Sequence, residues 1–174
     1  MGGDNQYADS DFSLLTRHLN LLDVEIIKIS SALKGSMDPE SDGLFEAGEY
    51  FIGSGFVAIQ RYLTSTYCGL GISQSVAFNV PPIVNRNLKF AEAVNAGANY
   101  WKHVEEWIGY LNKAENVPLK NITLRTLDKL ELATPWDDYT CANLLAVLRN
   151  GKELELSALL TEIAEWRNNL VNVA

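Results

Sequence analysis

The chain has 174 residues, 47% of them hydrophobic and 21% charged, which fits one globular domain with a real core and excludes a disordered polymer. Its 22 acidic and 14 basic residues give a formal net charge of −8, so neither DNA nor an anionic membrane is an expected partner. Both need a basic surface that displaces counterions.

Two cysteines, Cys68 and Cys141, are too few for a disulfide framework and read as free thiols of a reducing compartment. The two Cys and two His have no C-x-x-C or H-x-x-x-H spacing, so no metal is expected, and no cofactor motif stands in a workable context. "GSGFVA", 53–58, matches G-x-G-x-x-A, but it lies inside a helical pattern rather than between a strand and a helix. The start "MGGDNQYADSDF" lacks the basic and apolar regions of a signal peptide. No apolar run reaches the ~20 residues that span a bilayer, and the expected compartment is the cytoplasm.

Residues 1–9 read as a polar tail, followed by one helical domain over 10–174. Phe12, Leu15, Leu19, Leu22, Ile26, Ile29 and Leu33 step alternately by three and four, the seam of a first helix. Ser10 or Asp11 is placed to cap it and Gly35 to end it. Asp38-Pro39 signals the start of a second long helix that Gly69 and Gly71 stop. Its stripe Leu44, Gly48, Ile52, Gly55, Ile59, Tyr62 keeps two glycines, which implies close approach to a neighbour.

Residues 70–87 break the pattern. Val76, Phe78 and Val80 alternate with Ala77 and Asn79, and Pro81-Pro82 forbids a helix there, so a long extended strap over the bundle is expected. A third helix over about 88–113 follows, with the seam Phe90, Val94, Gly97, Trp101, Val104, Ile108 and Leu111. Ile122, Leu124, Leu127 and Leu130 suggest a shorter helix. "TPWD", 134–137, has the form of a helix start with Thr134 as cap. Leu156, Leu159, Leu160, Ile163, Trp166 and Leu170 mark the last helix. The fold expected is all-α, a single-domain bundle of about six helices.

The third helix carries the one candidate site. At 100° per residue, Asn95, Asn99, Lys102 and Glu106 fall opposite the core seam, and His103 lies between them and the flank of Tyr100 and Trp107. A solvated face is the plain explanation. Against it, Asn is roughly 0.6 kcal/mol worse than Ala inside a helix, and two of them among alanines suggest a face that something approaches. His103 is the proton-active group, since imidazole titrates near neutrality.

Arg167-Asn168 opens the hexamer "RNNLVN" in the last helix. It is similar to the Arg-(Asn/Asp)-x-x-x-His motif of the HEPN domains, helical bundles of toxin–antitoxin and phage-defence systems, except that Asn172 stands at the histidine position. That resemblance implies a ribonuclease or other hydrolase, with RNA as the substrate in the first case, His103 as acid/base and Lys102 or Arg167 stabilising anionic charge. Asn172 cannot act as a general acid or base, so the first expectation is a non-enzymatic module that binds a protein partner or a second copy of itself, the latter as a homodimer. Asn95, Asn99, Lys102, His103, Glu106, Tyr100 and Trp107 would form the contact, with or without the 70–87 strap. A third option is a small-molecule pocket lined by the aromatic residues of the third helix and the strap.

Overall fold

The computed structural model describes residues 9–85, 87–111, 121–135 and 138–174. Expectations for the tail 1–8, the turn 112–120, Trp136, Asp137 and the side chains of Ile108, Leu111 and Ile122 lie outside the described residues. The architecture is all-α. Seven helices are described: α1 (Ser10–Gly35), α2 (Leu44–Gly69), α3 (Gln74–Asn79), α4 (Phe90–Leu111), α5 (Asn121–Glu131), α6 (Thr140–Leu148) and α7 (Leu160–Val171). A 3-10 turn over Ser157–Leu159 leads into α7. A small antiparallel hairpin, β1 (Ile83–Asn85) with β2 (Leu88–Lys89), precedes α4. No described helix is long and apolar enough to cross a membrane.

α2 and α4 share the largest helix–helix contact, and α1 packs on α2. The α1 seam buries Leu15, Leu19 and Ile26. Its cap is Asp9, whose Oδ1 accepts from the Phe12 N–H at 2.8 Å, so neither Ser10 nor Asp11 fills that role. Asp9, placed in the tail by its neighbours' polarity, is a working part of the domain.

α4 is buried on almost every side along its first half. Phe90, Ala91, Ala93, Val94, Ala96, Ala98 and Tyr100 are all core residues. Small side chains make that possible. A Cβ on Gly97 would meet Leu144, and one on Gly53 of α2 would overlap the Trp101 indole. Gly55 stands likewise against Leu156, while the other stripe glycine, Gly48, has ordinary contact with Ile29. Each glycine costs the helix ~1 kcal/mol relative to Ala, which the close approach must offset.

Several boundaries depart from the sequence expectation. α2 begins at Leu44 rather than beside Pro39, because Gly43 takes a left-handed φ of 66° that breaks the turn over 38–43 from the helix. The strap is not extended throughout. Ser73 caps the short α3, whose Ala77 points into the core while Val76 stays exposed, and the hairpin follows the prolines. The alternation of apolar residues misled because the segment turns into a helix that buries Ala77 and leaves Val76 outside, although Val80 is in the core. The Trp166 Nε1–H donates to the Ala77 carbonyl at 2.9 Å and ties α3 to α7. α6 begins at Thr140, not at the Thr134-Pro135 signal.

Candidate functional site

The expected stripe on α4 divides into three groups. Asn95, Asn99 and Lys102 meet on Gln60 of α2, a residue the sequence reading did not single out. Gln60 Nε2 donates to Asn95 Oδ1 at 2.8 Å and to Asn99 Oδ1 at 2.9 Å, and Lys102 Nζ donates to Gln60 Oε1 at 2.8 Å. Both N–H groups of the Gln60 amide and one lone pair of its oxygen are used.

This network fixes the direction of every amide in it. An ammonium only donates, so Gln60 must turn its oxygen to Lys102. Its NH2 then faces the asparagines, and both of these must turn their oxygens inward. Partial desolvation of the Lys102 ammonium lowers its pKa from the usual lysine value. The indole of Trp101 lies over Gly53 and meets Tyr50 edge-on at 5.4 Å.

His103 and Glu106 form the second group, on the exposed side. His103 Nδ1 lies 3.5 Å from Glu106 Oε1, and its ring stacks on Trp107 with an interplanar angle of 22°. Tyr100 and Trp107 form the third. They pack against each other edge-on at 6.1 Å, and both are buried. Burial raises the Tyr100 pKa, a hydrogen bond with Thr140 works against that, and the charge of Glu49 adds to it. Tyr100 is thus a core residue rather than part of an open contact.

Arg167 stands elsewhere. Its Nη1 donates to Asp9 Oδ2 at 2.8 Å, and its guanidinium lies 5.0 Å from the centre of the Phe12 ring. Tyr62 Oη donates to the same Asp9 oxygen at 2.6 Å. Burial works to raise the Asp9 pKa, but hydrogen bonds from Tyr62, the Phe12 N–H and Arg167 outweigh it and hold the carboxyl below its ordinary value. Burial and the bond to Asp9 push Tyr62 up to about 12. The partners of Arg167 and those of His103 share no residue. The arginine of the "RNNLVN" hexamer joins α7 to α1 and α2.

Two buried carboxylates also escaped notice as structural groups. Glu49 of α2 accepts from the N–H groups of Cys141 at 2.7 Å and Ala142 at 2.8 Å, capping α6 from another helix. Asp23 of α1 accepts from Leu156 N at 2.7 Å and Ser157 N at 2.9 Å, capping the turn before α7. Helix N-termini leave four N–H groups without partners, and these acids meet them. Glu92 holds Lys129 at 2.7 Å. Among the described residues no three Cys, His, Asp or Glu gather as a metal site would require. The available signal for Glu49 and Gln60 was a polar residue inside the largely apolar face of α2.

No protein-family model matches the chain, and neither a curated protein nor a solved structure is significantly similar to it. The fold and site define a class only: an all-α bundle with a polar network between its two most extensively paired helices.

Proposed function

We propose that the protein is an interaction module that self-associates through the outer face of α1. The observation that carries this reading is a set of large apolar side chains on that face. Leu14 is 60% exposed, Leu21 68%, Val24 48% and Ile27 58%. Leu14, Leu21 and Val24 lie within ~80° of one another around the helix, with Ile27 at the edge. They lie opposite the seam that α1 packs on α2.

The charges of the same face favour a second copy as the occupant. In an antiparallel pair with its two-fold axis at Leu21, each residue meets one equally far on the other side of that leucine. Arg17, four residues before Leu21, then faces Glu25, four residues after it, and this happens twice. Leu14 faces the aliphatic stem of Lys28, and Leu21 faces its own copy. Glu25 already holds Lys28 at 2.7 Å along one edge of the face.

One helix face per copy places the interface below ~1,200 Å² in total, the range of weak association, with Kd on the order of 10 μM. Sedimentation velocity from ~1 to ~200 μM should show a monomer–dimer equilibrium. Leu21→Asp should leave only monomer. Arg17→Glu should weaken the dimer, and adding Glu25→Arg should restore it. A wild-type chain that stays monomeric over that range, or a double variant no better than the single, overturns the reading.

A further inference from the structure

We infer that Asn95, Asn99 and Lys102 form a binding site for an oxyanion, a carboxylate or a phosphate, at the seam of α2 and α4. This is independent of self-association through α1.

The network leaves several donors over. With both asparagine oxygens turned to Gln60, each Nδ2 and its two N–H groups are left on the other side of the amide. Neither Nδ2 has a partner among the described residues, and neither is sealed from solvent, since the buried side-chain polar atom left without a partner is Glu162 Oε2. Lys102 gives one of its three N–H groups to Gln60 and keeps two. The unused hydrogen-bonding groups of Asn95 Nδ2, Asn99 Nδ2 and Lys102 Nζ are therefore all donors. All three side chains bond to the one Gln60 amide, which holds them around a single group although they span two turns of α4.

The charge is also unanswered. Some described cations, such as Lys129 and Arg167, sit on a carboxylate, and others, Lys102 among them, do not. Lys102 is bonded to a neutral amide. Glu106, one turn on and able in principle to reach it, is turned to His103 instead. An acceptor that carries negative charge and several lone pairs complements such a patch, and charge-assisted hydrogen bonds are the strong kind. Gln60 has already fixed the asparagine rotors, so a ligand need not order them on binding.

Gln60→Glu tests the idea with almost no change of shape. A carboxylate only accepts, so Asn95 and Asn99 must turn their Nδ2 groups inward to it, and Lys102 gains its counter-charge. Inorganic phosphate and acetate, each titrated against chloride at constant ionic strength, should shift the side-chain NH2 resonances of Asn95 and Asn99 in the wild-type protein. A stronger response to phosphate assigns a phosphoryl ligand, and a stronger response to acetate a carboxylate; both support the site. Gln60→Glu should weaken binding at least ~tenfold with an unchanged circular dichroism spectrum. Lys102→Met, at an exposed position, should weaken it as well. Unmoved asparagine resonances with both anions, or equal binding by Gln60→Glu, overturns the proposal.

Discussion

Glu49 and Gln60 stand on the same side of α2, eleven residues or about three turns apart. Both are polar residues drawn into the helix-packing side of the bundle, yet they end in opposite states. The Glu49 carboxylate meets two N–H groups of α6 that need acceptors, and donors and acceptors match. Gln60 gives partners to both its N–H groups and its oxygen, but does so by turning two asparagines and leaving their donors outside. A buried polar group that balances with its partner holds the fold. One that balances only itself passes a surplus to the surface, where a ligand can use it.

The sharpest way to break that contrast is Glu49→Leu. It strands two N–H groups at the start of α6 and should cost about 3 kcal/mol, read as a melting temperature lower by roughly 6–12 °C. Asp23→Ala removes the corresponding acceptor before α7 and should cost about 2 kcal/mol in urea unfolding. Gln60→Leu should cost less, about 1 kcal/mol, because Lys102 and both asparagines can turn to water. A loss as large as that of Glu49→Leu would make Gln60 a structural group and remove the contrast.

The smallest effect is expected from acid. The folded Asp9 carboxyl lies below its ordinary value of 3.8, so its contribution is complete above that pH and is lost as the pH falls through the folded value. Asp9→Asn should flatten this part of the acid limb in urea unfolding measured from about pH 6 downward. Tyr62 gives the reverse sign: its raised value of about 12 means stability present below pH ~10 and lost as the pH climbs through the folded value.

The helical seams were legible where one face is strictly apolar. Leu15, Leu19 and Ile26 of α1 and Leu156, Ile163 and Trp166 at the end of the chain lie in the core as their spacing requires. The polar stripe of α4 was legible as unusual, since two asparagines in a helix of alanines ask for a partner. Its division was not. Tyr100 and Trp107 turned inward, His103 and Glu106 stayed outside, and Asn95 and Asn99 found Gln60. Thr134-Pro135 and Asp38-Pro39 failed as helix starts for the same kind of reason: α6 takes its cap from Glu49, 92 residues away from Cys141, and Gly43 resets the chain before α2.

By itself the sequence determined an acidic all-α domain, its main helices and the faces they bury, because a helix closes its hydrogen bonds and repeats its apolar side within a few residues. Only the tertiary structure decided which distant polar groups meet. That depends on how far one helix slides along another, and a shift of one turn would have set Gln60 beside different residues of α4. The direction of the Asn95 and Asn99 amides, and with it the chemistry of the seam, follows from that register.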